Sequence, residues 1–162
     1  MSNTLDNWLN IKPKKIRKYV YLDWSERLPK NVIWLENIPK NINYKKDLYW
    51  KTINSEITLC ANFKNGKEFT DFDEEKYSNY SFLKSHLQKC IRKGNENNAL
   101  KTAMHMIKMD IISFIRRLTV IMIEDVKLHE CFGILVWLLA SNISFKKRHI
   151  EWLLGVVYVL CK

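Results

Sequence analysis

The sequence predicts a mainly α-helical fold, a helical bundle of stacked helical hairpins with a small, aromatic-rich and partly β N-terminal region. Residues 99–140 form a long apolar stretch that contains no Pro and a single Gly. From residue 78 onward, apolar residues recur about every 3.6 positions, which is typical of one helix face. Hydrophobic residues make up 47% of the 162-residue chain, enough for a packed core. We therefore divide the chain into an N-terminal region, 1–77, and a helical domain, 78–162.

The N-terminal region favours short strands. Three runs are rich in aromatic and β-branched residues and are separated by Pro and Asn. They are Lys18–Trp24, Asn31–Ile38 and Asp47–Ile53. A fourth run, Glu56–Phe63, is followed by Asn65-Gly66 and then Lys67–Phe69. Because Asn-Gly suits a type I′ turn, these residues predict a hairpin.

Five segments of the second region follow the helical period. They are Asn79–Lys93, Glu96–Met109, Asp110–Asp125, Leu128–Ser141 and Phe145–Cys161. Gly94 stands where a glycine would end the first helix, and Asn95 can cap the second. The third and fourth helices are apolar on more than one side, which predicts central positions or interfaces. Several Val residues in the last segment leave helix and strand both open.

The charge indicates anionic partners. The net charge is +10, and residues 77–162 hold 13 basic against 6 acidic side chains. Such an excess favours nucleic acid, an acidic membrane surface or an acidic protein, although abundant Lys can also be plain solvated surface. The candidate nucleic-acid-binding residues are Lys84, Lys89, Arg92, Lys93, Lys101, Lys108, Lys146, Lys147 and Arg148. If they converge, they would follow a phosphate backbone without reading sequence, while Tyr77, Tyr80 and Phe82 could stack on unpaired bases.

Charged residues inside the apolar helices have two interpretations. This set comprises Asp110, Arg116, Arg117, Glu124 and Asp125. A guanidinium can contact phosphate or a partner's carboxylate. We favour structural ion pairs, with Arg117 paired to Glu124 or Asp110, because pairing makes the burial of charge tolerable.

Other chemistry is weakly indicated. Asp125-Val126-Lys127 matches the D-x-K fragment of a metal-dependent nuclease, but that chemistry needs these residues on a strand. His86 and Cys90, four residues apart on one helix, are too few to hold a metal. His129 and Cys131 should face different sides of a helix, which does not support a nucleophilic pair. We expect no cofactor and no bound metal.

The cysteines and the N-terminus bear on location. The four cysteines form no CxxC pair and lie mostly in apolar context, so we expect buried thiols in a reducing compartment. The N-terminus has no apolar leader, and the longest apolar runs have about half the length of a membrane span. We therefore expect a soluble protein of the cytoplasm or nucleus.

Residues 99–140 resemble part of a known family. The pattern begins with a helix of small and apolar residues. It continues with an acidic residue, an aromatic residue, Arg-Arg-Leu and an apolar run that ends in Glu-Asp. The matching positions are Ala103, Met106, Asp110, Phe114, Arg116, Arg117, Leu118, Glu124, Asp125 and Val126. This pattern resembles the helical C-terminal domain of RarA-type AAA+ ATPases, relatives of clamp loaders. The resemblance implies a helical module for oligomer formation near the replication apparatus.

The ATPase part of that family has no counterpart here. The chain contains no GxxxxGK[ST] loop, and its four glycines are isolated from one another. We therefore expect a non-enzymatic oligomerisation or adaptor module associated with DNA replication or repair, with non-specific nucleic-acid binding. Self-association or a protein partner would use the apolar helices. The alternatives are a purely structural protein–protein module and a metal-dependent nuclease.

Overall fold

The computed structural model describes residues 17–50, 55–64, 66–68, 79–126 and 128–162. Its strands are β1 Arg17–Trp24, β2 Ile33–Leu35, β3 Tyr44–Trp50 and β4 Ser55–Phe63. Its helices are α1 Tyr80–Arg92, α2 Glu96–Glu124, α3 Phe132–Ser141 and α4 Lys147–Leu160. Within these residues the fold is α+β, with a four-stranded mixed sheet as one layer. The prediction of a mainly helical bundle of stacked hairpins is therefore wrong.

The sheet has the order β2-β1-β4-β3. β1 and β4 run parallel, with Val20 opposite Leu59, whereas the other two pairs are antiparallel. Both edges of β4 are occupied by β1 and β3, so the hairpin predicted through Asn65-Gly66 is wrong. Glu68 instead bridges to Lys146 at the start of α4. Asn65 and Phe69 lie outside the described residues.

One face of the sheet packs on helices. Every second residue at the end of β1 is buried, namely Val20, Leu22 and Trp24. The indole Nε1 of Trp137 on α3 donates to the carbonyl of Val20 at 3.2 Å. The rings of Trp24 and Trp152 on α4 meet edge to face, with centroids 5.4 Å apart. The apolar faces of α3 and α4 thus pack on the sheet, whereas the sequence predicted stacked helical hairpins.

The first two predicted helices begin and end at local signals. The side chain of Asn79 accepts from the backbone N–H of Phe82 at 3.1 Å, which caps α1. Gly94 follows α1 with φ of 65°, the left-handed conformation that glycine adopts without a steric penalty. α2 is interrupted by a kink at Asp110, where φ is −162° and ψ is 96°, so it consists of two helical halves. That break is where the sequence predicted the boundary between the second and third helices.

The C-terminal helices differ in part from expectation. α3 begins at Phe132, four residues after the predicted start at Leu128. The last segment is the helix α4, so the choice between helix and strand is resolved. α2 packs against each of the other three helices, which agrees with its apolar residues on several sides. Among the described residues, no helix combines the length and the apolar character needed to cross a membrane.

The buried side chains of the sheet and of all four helices form one cluster. Its largest fully buried members are Trp24, Trp137, Phe114, Leu22, Leu87, Met106, Ile115, Leu118, Ile121, Met122, Leu135 and Leu138. Strand residues from before position 77 and helical residues from after it therefore share a core.

Candidate nucleic-acid interface

α1 and the first half of α2 run side by side as a helical pair, the α1–α2 hairpin. His86 Nδ1 lies 2.8 Å from Thr102 Oγ1 across the two helices. The Thr102 hydroxyl donates to the carbonyl of Asn98 at 2.7 Å, so its oxygen accepts from the His86 N–H. This chain of two hydrogen bonds holds the imidazole in one orientation.

A groove of about 710 Å³ lies along this hairpin. We call it the hairpin groove. It is lined by Phe82, Leu83, His86, Asn98, Lys101, Thr102, Met104 and His105. The lining combines aromatic, apolar and cationic groups, a composition suited to a ligand that is both flat and anionic.

An aromatic stack forms one wall of the hairpin groove. The rings of Phe82 and His86 lie nearly parallel, with centroids 5.7 Å apart and planes 20° apart. Cys90 Sγ is 3.7 Å from the imidazole of His86. The side chain of Phe82 is 59% exposed, although it is a large apolar group. An exposed aromatic ring backed by a fixed imidazole provides a stacking surface.

Basic residues flank this stack. Residues 79–109 carry five Lys and one Arg but a single acidic residue, Glu96, a net of 6 − 1 = +5. Glu96 forms an ion pair with Lys162. Lys89 and Lys93 follow Phe82 and His86 at helical spacing and are exposed, and Lys101 is exposed on the facing helix. We call these five residues the hairpin stripe: Phe82, His86, Lys89, Lys93 and Lys101.

The other predicted cations of the hairpin lie elsewhere. Arg92 forms an ion pair with Asp125 at 2.7 Å, at the end of α2. The ammonium of Lys84 lies over the ring of Tyr80, 5.0 Å from its centroid. Lys108 is half-buried on α2 and is not among the residues that line the hairpin groove. Of the predicted lysines of the hairpin, Lys101 therefore lines the groove, while Lys89 and Lys93 lie on the face of α1 that carries Phe82 and His86.

The second basic cluster is tied to the protein's own groups. Lys146 pairs with Glu68 at 2.8 Å, and Lys147 stands 3.9 Å from Glu151. The Arg148 guanidinium donates to the carbonyls of Trp24 at 2.7 Å, Lys64 at 3.0 Å and Glu26. Burial lowers the pKa of Arg148. The geometry thus gives Arg148 a structural role, joining α4 to the ends of β1 and β4.

Three of the five charged residues predicted as ion pairs, Arg117, Glu124 and Asp125, form a network around Gln88. Arg117 donates to Gln88 Oε1, while Gln88 Nε2 donates to Asp125 at 2.5 Å and Glu124 at 3.2 Å. Arg92 also donates to Asp125. The hydrogen bond from Gln88, and next the guanidinium of Arg92, lower the pKa of Asp125. Sequence reasoning missed Gln88 because a neutral amide shows no charge pattern.

The remaining two members of that set lie apart from this network. Asp110 accepts from the backbone N–H of Ser113 at 3.0 Å and from its hydroxyl at 2.6 Å. These bonds lower the pKa of Asp110 and start the second half of α2. Arg116 is exposed, and its carbonyl accepts from the Thr119 hydroxyl at 2.8 Å.

His129 and Cys131 are closer together than predicted. They precede α3 in place of lying on a helix, and His129 Nδ1 is 3.2 Å from Cys131 Sγ. The same nitrogen accepts from the backbone N–H of Cys131 at 3.2 Å. Burial raises the pKa of the Cys131 thiol to about 11. A nucleophilic cysteine needs the opposite shift, so this contact does not make a reactive thiolate.

The geometry does not favour the nuclease or a metal site. Asp125 ends α2 with φ of −119° and ψ of −14°, so it does not lie on a strand. Lys127 is outside the described residues. Across the described part of the chain, no group of three or more His, Cys, Asp or Glu could hold a metal ion.

Comparison of this chain with models of protein families, with curated proteins and with solved structures found no match. The resemblance of residues 99–140 to the RarA-type helical domain therefore stays a prediction.

Proposed function

We propose that this chain is a non-enzymatic adaptor module that binds nucleic acid non-specifically through the α1–α2 hairpin. The observation that carries the proposal is the hairpin stripe. The exposed ring of Phe82 and the exposed Lys101 line one groove, and the exposed Lys89 and Lys93 continue the same face of α1. The proposal also includes a role in DNA replication or repair and self-association. These two parts are supported by the sequence resemblance.

The charges support contact with a phosphate backbone. The α1–α2 hairpin holds a net charge of +5, and Glu96, its acidic residue, is already paired. Lysine ammonium groups act as point charges that attract phosphates without discriminating between bases. Binding of this kind releases counterions and weakens steeply as salt rises. The proposal therefore makes salt dependence its first measurable property.

A second candidate function is protein–protein contact without nucleic acid. An apolar groove of about 590 Å³ lies between the sheet and α3. Trp34 and Val136 line it and are 62% and 44% exposed. Exposed apolar surface of this kind is common at interaction sites. A module that used this groove alone would show no affinity for oligonucleotides.

Fluorescence anisotropy with labelled 20-nucleotide DNA, single-stranded and duplex, tests the proposal between 50 and 200 mM salt. We expect affinity to fall as salt rises. The double variant Lys89→Gln/Lys101→Gln removes two phosphate contacts, which should reduce the salt slope by about 1.4 on single strands. The control is Lys40→Gln, since Lys40 is exposed in the loop between β2 and β3.

Three outcomes would contradict the proposal. The first is no DNA binding at 50 mM salt. The second is binding by the Lys89→Gln/Lys101→Gln variant with unchanged affinity and salt slope. The third is binding to phosphatidylserine vesicles with no binding to DNA under the same conditions.

A further inference from the structure

We infer that the nucleic acid bound in the hairpin groove is single-stranded and that one of its unpaired bases stacks on Phe82. This inference rests on the proposed function and names the form of ligand. It follows from the position of the aromatic stack relative to the lysines of the hairpin stripe.

The first argument is the exposure of Phe82 beside a parallel ring. Phe82 packs on His86 with planes 20° apart, which leaves the ring of Phe82 at the end of the stack, 59% exposed. The faces of bases inside a duplex are covered by their neighbours, whereas an unpaired base offers a face for stacking. A ring in this position therefore gains more from a single strand than from a duplex.

The second argument is that the stack is held in place before any ligand arrives. The imidazole of His86 donates to Thr102 at 2.8 Å, and Thr102 donates to the carbonyl of Asn98. Phe82 stands four residues before His86 on α1, so its ring rests on an imidazole that is already oriented. A stacking surface that is ordered in advance loses less side-chain entropy on binding.

The third argument is the arrangement of cations. Lys89 and Lys93 lie about 10 and 16 Å from Phe82 along the axis of α1, at 1.5 Å per residue. Lys101 lines the same groove from α2. A strand whose base stacks on Phe82 can place a phosphate beside Lys101 in the groove, and further phosphates beside Lys89 and Lys93 where it continues along the exposed face of α1. This combination of an aromatic platform and a cationic track is typical of proteins that bind single strands without sequence preference.

The experiment compares Phe82→Leu with the wild-type full chain. Leucine keeps an apolar side chain but removes the aromatic ring. The matched control is Trp34→Leu, because Trp34 is 62% exposed and lies on β2. Far-ultraviolet circular dichroism and thermal melting check that both variants fold.

Two probes are used, oligo(dT)20 carrying one central 2-aminopurine, and a 20-base-pair duplex. We expect the wild type to prefer the single strand and to change the 2-aminopurine emission, as stacking does. Phe82→Leu should bind the single strand about 5- to 100-fold more weakly and lose the emission change. The affinity of Phe82→Leu for the duplex should stay within about twofold of wild type. The affinities of Trp34→Leu for both probes should stay within the same range.

The outcomes separate the two proposals. If neither probe binds, the proposed function itself fails. If both probes bind with salt dependence but with equal affinity, or if Phe82→Leu keeps the full emission change, nucleic-acid binding stands and the inference of a stacked single strand is overturned.

Discussion

Replacing Arg148 tests whether this cation stabilises the fold or binds nucleic acid. Its guanidinium donates to three backbone carbonyls, at the ends of β1 and β4 and in the loop after β1. It also lies over the ring of Trp24, 5.6 Å from the centroid. The substitution Arg148→Met keeps much of the apolar stem and removes all of these donors.

The expected loss of stability follows from these contacts. A hydrogen bond from a charged donor contributes a net of about 1.5 kcal/mol or more to the free energy of unfolding. Because Arg148 is half-exposed, we assign about 1 kcal/mol to each of its bonds. Three such bonds give about 3 kcal/mol in the free energy of unfolding. For a domain of this size that corresponds to a melting temperature lower by about 6 to 12 °C. Arg148→Lys should recover part of this loss, since an ammonium cannot reproduce the guanidinium's planar fork of donors.

Urea denaturation followed by tryptophan fluorescence measures the effect, with an unchanged m-value expected. The control is Lys147→Met, because Lys147 is exposed and stands 3.9 Å from Glu151, a pair worth no more than about 0.5 kcal/mol. A loss of less than about 1 kcal/mol in Arg148→Met, together with weaker DNA binding, would contradict a structural role for Arg148. That result would indicate that Arg148 binds nucleic acid, as the sequence predicted.

Two further predictions concern a buried histidine and two glycines. Burial, and next the charge of Arg148, lower the pKa of His149 to about 4. Because the unfolded chain takes up this proton near pH 6.5, the neutral ring contributes stability that is complete above pH 6.5 and is lost as pH falls towards 4. In urea titrations, the advantage of wild type over His149→Gln should therefore shrink by about 2 kcal/mol from pH 7 to 4.5, and a constant difference would contradict this. Gly94→Ala should destabilise by about 1 kcal/mol because φ at Gly94 is +65° and an added Cβ would lie 3.2 Å from the carbonyl of Cys161. Gly155→Ala, on helix α4 with nothing within 4 Å of the new Cβ, should instead raise the melting temperature; equal effects of the two would argue against this account of Gly94.

The helices could be predicted because their signals are local. Asn79 caps α1, Gly94 ends it, and Asp110 breaks α2, all within a few residues of the hydrogen bonds that they control. Periodicity then identifies the buried faces from the same short windows. This explains why predicted and observed boundaries differ little at these positions.

The sheet could not be predicted from the same windows because its central pairing is not local. β1 pairs in parallel with β4, which puts Arg17 opposite Glu56, and β3 occupies the other edge of β4. Asn65-Gly66 is a real turn signal by composition, but its strand already has two neighbours. The turn preference of Asn65-Gly66 is therefore outweighed by the pairing of β4 with β1 and β3.

The candidate site was predictable in part. Spacing alone puts Phe82, His86, Lys89 and Lys93 on one face of α1. The hydrogen bond from His86 to Thr102 could not be foreseen, because it depends on how α1 and α2 lie against each other. Arg148 was assigned to a basic cluster by its neighbours in sequence, whereas its carbonyl partners precede it by 84 to 124 residues.

The central claim is that the hairpin stripe, and not the cluster at the start of α4, receives nucleic acid. Amide chemical-shift mapping of the ¹⁵N-labelled full chain, titrated with oligo(dT), locates the bound strand. We expect saturable shifts concentrated between residues 80 and 105, with Lys147 and Arg148 little changed. Shifts centred on Lys146–Arg148 with α1 unaffected would contradict it.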